Sequence, residues 1–100
     1  MKFIDSYKRL EQLCNDMFND KHGVSIYIDK LSKIDDKNKD LKKLKHCRYL
    51  RNKIVHEPNC TEDNMCNLKM LNFLMISIRK LRAMKTLYLS TRRINLISYF

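Results

Sequence analysis

The scarcity of turn-forming residues limits the folds open to this chain more than any other feature. Its one hundred residues include one glycine, Gly23, and one proline, Pro58. A sheet-rich fold would need more of both, because hairpins and tight turns depend on their backbone geometry. Hydrophobic residues make up 44% of the chain, which is enough for one small core at this length. We therefore expect a single all-α domain over residues 1–100.

Apolar residues at three- and four-residue steps predict four helices and a short terminal one. The predicted helices cover about residues 5–20, 24–34, 37–55, 62–89 and 90–100. Gly23 is expected to lie just past the end of the first helix. Pro58 disfavours helical geometry at the residue before it, so the third helix should end near His56. Thr61 is expected to cap the fourth helix. Short connections favour antiparallel neighbours, which predicts an up-and-down four-helix bundle with a short extra helix.

The fourth predicted helix is apolar over more of its surface than one facing helix would cover. Such width indicates two packing partners or a dimer seam. The predicted stripe consists of Met65, Leu68, Leu71, Met75, Ile78, Leu81, Met84 and Tyr88.

The formal charge of +10 is concentrated in two segments. Residues 1–36 carry six Lys or Arg against seven Asp or Glu, whereas residues 37–53 carry eight against one. Residues 54–78 have a net charge of −2, and residues 79–100 add six unopposed positive charges. Clustering of this kind is typical of proteins that bind a polyanion, and it also occurs on faces that only aid solubility.

The four cysteines are expected to remain reduced. The N-terminal sequence MKFIDSYK has no apolar stretch of the kind found in secretory signals. No apolar run approaches membrane-spanning length, so we expect a cytoplasmic protein without a membrane partner, where thiols stay reduced. Cys14 and Cys47 fall on apolar helical stripes, and we interpret them as small buried hydrophobic residues.

One segment, residues 49–58, contains candidate catalytic residues as well as residues that pack in the core. Its sequence is Tyr-Leu-Arg-Asn-Lys-Ile-Val-His-Glu-Pro. Arg51 and His56 lie about 140° apart on an ideal helix, so their side chains converge only if the helix ends or loosens near His56. On spacing alone, a histidine that caps its helix and a solvated arginine are the more common outcome.

The segment resembles the signature of HEPN (higher eukaryote and prokaryote nucleotide-binding) domains. That signature is Arg-x(4–6)-His, commonly with Asn, Asp or His directly after the arginine. Arg51-Asn52-Lys53-Ile54-Val55-His56 matches it. The resemblance implies a homodimer of helical bundles whose motifs face each other. Many members are metal-independent endoribonucleases, often toxins or defence effectors. Others have lost catalysis and act as binding or scaffolding modules.

The residues suit RNA cleavage without a metal or another cofactor. Histidine can remove the proton from a 2′-OH near neutral pH, which is the role expected for His56. The Arg51 guanidinium can meet two non-bridging phosphate oxygens as negative charge builds on them. Asn52 would orient the phosphate or the imidazole, and a dimer would offer one histidine as base and the other as acid. Three basic residues, Lys45, Arg48 and Lys53, are expected to bind the RNA backbone.

Other functions remain open on the sequence. The chain could be a catalytically inactive interaction module, such as an antitoxin component, a nuclease inhibitor or a nucleotide-binding adaptor with a host protein partner. A helix-turn-helix is disfavoured because the turn before Thr61 has no glycine.

A metal site is also disfavoured. The candidate ligands are His56, Cys60 and Cys66 with His46 or His22, and they form no C-x2-C or H-x3-H pair. The acidic residues Glu57, Glu62 and Asp63 are more typical of helix ends than of a magnesium site.

Overall fold

A computed structural model describes the backbone of residues 2–98 and the side chains of residues 2–87. Five helices follow one another: α1 (Phe3–Phe18), α2 (Val24–Ile34), α3 (Lys39–His56), α4 (Glu62–Met65) and α5 (Leu68–Ser98). No β-strand occurs between residues 2 and 98. The prediction of an all-α protein is confirmed.

The first three predicted helices are present, and their ends differ from the prediction by at most two residues. Asn38 caps α3, because its Oδ1 accepts a hydrogen bond of 2.8 Å from the backbone N–H of Asp40. At the other end, Glu57 has extended backbone geometry (φ −112°, ψ 120°). This is the conformation that a following proline favours, so Pro58 fixes the end of α3 as predicted.

Gly23 has a different role from the predicted one. Asn19 ends α1 in the left-handed conformation (φ 49°, ψ 53°), which asparagine tolerates better than most residues. Gly23 instead lies directly before α2 with φ 54° and ψ −126°. A Cβ at Gly23 would come within 3.1 Å of Cγ of Glu11. The missing side chain therefore lets α2 begin in close contact with α1.

The helix predicted over residues 62–89 is interrupted at residues 66 and 67. Thr61 caps α4 as predicted, since its Oγ1 accepts a hydrogen bond of 3.4 Å from the N–H of Asn64. Asn67 starts α5, because its Oδ1 accepts a hydrogen bond of 3.0 Å from the N–H of Met70. A side chain that bonds the backbone in this way competes with helix continuation. From Leu68 the helix runs unbroken to Ser98, so residues 90–98 are part of α5 and do not form a separate helix. Residues 99 and 100 lie outside the described part.

Contacts between helix ends give their directions. The Ile4 N–H donates to Glu62 Oε1 at 2.9 Å, and the Asp16 carboxylate lies 3.6 Å from Lys85 Nζ. Glu62 lies in α4, six residues before α5 begins, so α1 and α5 run the same way. In the predicted up-and-down bundle the first and fourth helices would run in opposite directions. Lys80 Nζ lies 3.4 Å from the Asp40 carboxylate, although Asp40 is at the start of α3, so α3 runs opposite to α5.

The core is built from one face of each long helix and from α2. It includes the predicted Cys14 and Cys47, both fully buried. Its buried hydrophobic members are Phe3, Tyr7, Leu10, Cys14, Val24, Tyr27, Ile28, Leu41, Leu44, Cys47, Leu50, Cys66, Leu74, Ile78 and Leu81. Burial of these side chains supplies the main stabilisation.

The buried face of α5 differs in part from the predicted stripe. Leu74 and Leu81 are fully buried, whereas Leu68, Met75 and Met84 are exposed. Tyr88 lies outside the described side chains. Since apolar residues surround much of this helix, its periodicity did not show which face packs inward.

Candidate nucleic-acid interface

The candidate residues occupy one sector of α3 near its C-terminal end. At 100° per residue, Val55, Asn52 and His56 follow Arg51 around the helix at about 40°, 100° and 140°. Arg51 is half-buried at one edge of this sector, and the other three side chains are exposed. The motif therefore borders a continuous patch of accessible surface, with Arg51 and His56 on its two edges.

Arg51 is positioned by α1 and by its own neighbour. Its Nη1 donates a hydrogen bond of 3.1 Å to Asn52 Oδ1. Its Nε lies 3.9 Å from Glu11 Oε1, a loose ion pair between side chains that are about one-third exposed. The structure thus brings Arg51 and Asn52 together and leaves part of the guanidinium accessible. A guanidinium that is hydrogen-bonded to a neutral amide and only loosely paired with a carboxylate can still bind a phosphate.

His56 is the last residue of α3 and lies at the surface. No hydrogen bond, ion pair or ring contact joins its imidazole to any side chain or backbone group of residues 2–87. Helical geometry persists through His56, so within one copy the imidazole and the guanidinium keep their separation around the helix. One copy alone brings Arg51 and Asn52 together but not His56.

The three predicted RNA-contacting residues differ in their surroundings. Lys45 is exposed. Arg48 is half-buried, and its Nη1 donates to Ser25 Oγ of α2 at 3.2 Å. Lys53 Nζ lies 2.8 Å from Glu57 Oε1 and 5.7 Å from the centre of the Tyr49 ring. The ion pair raises the pKa of Lys53 and lowers that of Glu57. Lys45 is thus the member of this set without an intramolecular partner among the described residues.

A groove between α3 and the first turns of α5 was not found from the sequence. Its volume is about 630 Å³, and its lining residues are Lys42, Lys43, His46, Cys47, Asn67, Lys69, Met70 and Phe73. The signal in the sequence was the repeated basic residues 42, 43 and 46. These residues come close to residues 67–73 only because of how α3 lies beside α5, and the spacing of apolar residues does not predict that packing.

The metal-ligand hypothesis receives no geometric support in the described part of the chain. Among side chains of residues 2–87, no three His, Cys, Asp or Glu groups come together in a way that could hold a metal ion. The thiol of Cys60 instead donates a hydrogen bond of 3.5 Å to Glu57 Oε2. Cys66 is buried, and Glu62 accepts a hydrogen bond from the backbone N–H of Ile4.

Comparison with known proteins identifies a family. Within the described residues, no helix has the length and apolar character needed to cross a membrane. Neither the curated proteins nor the solved structures contain a match. A family model described as a family of unknown function, DUF6548, matches residues 1–82. That match covers α1 to α4 and α5 as far as Arg82, and the chain belongs to the DUF6548 family.

Proposed function

We propose that this protein binds RNA and cleaves it as a metal-independent endoribonuclease of the HEPN type, with an active site shared by two copies of the chain. The observation that carries the proposal is the surface of α3 bordered by Arg51, with its bonded Asn52, and by the exposed His56. In this proposal α1, α2, α3 and α5 form a HEPN-like four-helix arrangement. In this proposal the protein acts in the cytoplasm as a toxin or in defence.

The proposed site requires two copies because of the spacing of the motif residues. Arg51 and His56 stand at opposite edges of a sector about 140° wide, so one copy cannot aim both at the same atom. Val55 lies inside this sector and is 51% exposed. A second copy packed on Val55 would bury this apolar side chain and bring its own motif alongside. The guanidinium of one copy could then reach a phosphate next to the imidazole of the other.

The chemistry follows from the residue types. The neutral imidazole of one His56 accepts the proton of a 2′-OH, and the oxygen forms a bond to the adjacent phosphorus. The bond from phosphorus to the 5′-oxygen breaks, and that oxygen receives a proton from the protonated His56 of the second copy. Arg51 stabilises the charge on the non-bridging oxygens, and Asn52 holds the guanidinium in place. The products are a 2′,3′-cyclic phosphate and a 5′-hydroxyl.

The surrounding charge supports the approach of RNA. The segment 37–53 has a net charge of +7, and Lys45 is exposed two turns before Asn52. Positive charge on one helix attracts the phosphate backbone without reading its sequence.

The decisive experiment is RNA cleavage by purified protein in the presence of EDTA. We expect fragments that end in 2′,3′-cyclic phosphate. The variant His56→Ala should lower the cleavage rate by about 10²–10⁴-fold, because it removes the proton-transfer group. The matched control is His22→Ala. It removes another exposed histidine, which lies between α1 and α2 and outside the motif.

Two results would contradict the nuclease proposal. If His56→Ala cleaves as fast as the wild type, another site or another protein carries the activity. If the wild type never cleaves RNA while circular dichroism shows an intact helical fold, the motif is not catalytic.

A second candidate is a helical interaction module without catalysis, such as an antitoxin component, a nuclease inhibitor or a nucleotide-binding adaptor. The exposed apolar residues of α5 favour this function, since Leu68, Met75 and Ile76 are 44–69% exposed on a helix that also carries the core. Stable complex formation with a protein partner, together with absence of cleavage, would support this candidate over the first.

A further inference from the structure

We propose that the groove between α3 and the start of α5 binds a nucleotide of single-stranded RNA, with the base against Phe73 and the flanking phosphates at Lys42, Lys43 and Lys69. The inference rests on the proposed function for the identity of the ligand as RNA. It adds a binding site outside the Arg51–His56 motif.

The size and composition of the groove suit a ligand that is both flat and anionic. A volume of about 630 Å³ lies within the range of small-molecule sites. Cys47, Met70 and Phe73 provide apolar walls, while lysines provide the charge. Burial raises the pKa of the Cys47 thiol to about 11. The thiol is therefore neutral and adds no negative charge beside a phosphate.

The lysines of the groove lack acidic partners. Among the described side chains, no carboxylate lines the groove. Lys42, Lys43 and Lys69 form no ion pair with any residue in the described range 2–87. Farther along α5, Lys80 and Lys85 each lie opposite an aspartate. Three unneutralised ammonium groups at one opening form a site for an external polyanion.

Aromatic rings are placed where a base could stack. The Phe73 ring is half-buried in the groove, and Lys43 Nζ lies 5.5 Å from its centre. His46 lines the groove and stacks on Tyr49, with ring centres 6.4 Å apart and planes 17° from parallel. Alternation of aromatic rings and cations is the arrangement that single-strand binding surfaces use.

The groove is continuous with the candidate catalytic surface along α3. His46, Tyr49, Lys53 and His56 recur at three- and four-residue steps, so they share one face of the helix. His46 and His56 are ten positions apart, which corresponds to about 15 Å along the helix. A strand held in the groove would therefore extend over Tyr49 and Lys53 toward His56.

The test measures binding of a short, labelled, 2′-O-methylated single-stranded RNA by fluorescence anisotropy at several salt concentrations. The methyl groups prevent attack by the 2′-oxygen, so binding is observed without cleavage. The double variant Lys43→Ala/Lys69→Ala should weaken binding by about tenfold or more and reduce the salt slope by about 1.4 for two lost phosphate contacts. The control Lys8→Ala/Lys21→Ala removes the same charge from exposed positions outside the groove and should bind with the wild-type salt slope.

A second variant tests the stacking contact. Phe73→Leu keeps an apolar side chain but removes the ring, so binding should weaken by about fivefold or more. Circular dichroism and thermal melting confirm that each variant is folded before it is compared. The lysine variant decides the outcome if Phe73→Leu is unfolded.

The possible results separate this inference from the proposed function. If the wild type binds RNA and the groove variants bind equally well, the groove inference is wrong and the nuclease proposal stands. If the groove variants lose binding but the wild type cleaves no RNA, the groove stands and the nuclease proposal is wrong. Absence of RNA binding by the wild type overturns both. If adenosine monophosphate alone binds as tightly as the strand, the groove is a mononucleotide site and the RNA assignment is wrong.

Discussion

The two sides of α3 differ in how their charged residues are used. On the side toward α1 and α2, Arg51 lies beside Glu11 and Arg48 bonds to Ser25. On the outer side, Lys42 and Lys45 are exposed and have no partner within residues 2–87. Cations that face another helix are held by a side chain of that helix. Lys42 and Lys45 are therefore not held by another part of the fold and are available to an external anion.

The largest expected effect that tests this difference between the two sides is a change in the rate of RNA cleavage at Arg51. Arg51→Lys keeps the charge but loses the planar fork that binds two phosphate oxygens. We expect its rate of RNA cleavage to fall by about 10²–10³-fold, as for loss of a donor that stabilises transition-state charge. The matched control is Arg9→Lys, an exposed arginine on α1, which should cleave at the wild-type rate. Equal rates for Arg51→Lys and the wild type would show that Arg51 belongs to the structural side of α3 only.

The next effect contrasts two neighbouring residues on the two sides of the helix. Leu44 is 1% exposed and Lys45 is exposed. Leu44→Ala should lower the free energy of unfolding by about 2–5 kcal/mol, because it leaves a cavity in the core. Lys45→Ala should change it by no more than about 0.5 kcal/mol. Urea denaturation measures both, and similar values for the two variants would contradict the described burial of α3.

A smaller loss of stability is expected at the junction of α1 and α2, which supports the inner side of α3. Gly23→Ala should destabilise the protein by about 1–3 kcal/mol because of its positive φ. The new Cβ would also approach Glu11. If the double variant Gly23→Ala/Glu11→Ala recovers part of the loss in thermal unfolding, the contact contributes. No recovery would assign the whole effect to backbone strain.

The smallest effect concerns the ion pair at the end of α3. Lys53 donates a hydrogen bond to Glu57 in this pair, which lowers the pKa of Glu57 in the folded state. The contribution is therefore present above the ordinary pKa of a glutamate and is lost as the pH falls through the lower folded-state value. Glu57→Gln should slightly lower the melting temperature at neutral pH and leave it unchanged in strong acid. A difference that persists in acid would assign the effect to something other than charge.

Much of the helical part of the fold could be predicted from the sequence, because local signals determine it. The start of α3 follows from the Asn38 cap and its end from Pro58. The break at Cys66 and Asn67 was missed, since a capping asparagine looks like an ordinary polar residue within a long apolar repeat. The buried face of α5 was only partly predicted because leucine and methionine occur on several sides of that helix.

The candidate site also has one part that the sequence predicted, the motif, and one part that it did not, the groove. The motif residues Arg51, Asn52 and His56 are close in sequence, so the sequence was sufficient to name them as candidates. The groove needed the packing of Lys43 over Phe73, which are thirty residues apart. Contacts of this range depend on the tertiary arrangement, and the sequence contains no local signal for them.

The hydrogen bond from Ile4 to Glu62 connects two places that are 58 residues apart in the chain. Glu62 begins the short helix that follows the end of α3. The first turn of α1 is thereby bonded to the segment that follows the candidate catalytic histidine, six residues after it. A change in the first turn of α1 is therefore expected to alter the position of that segment as well.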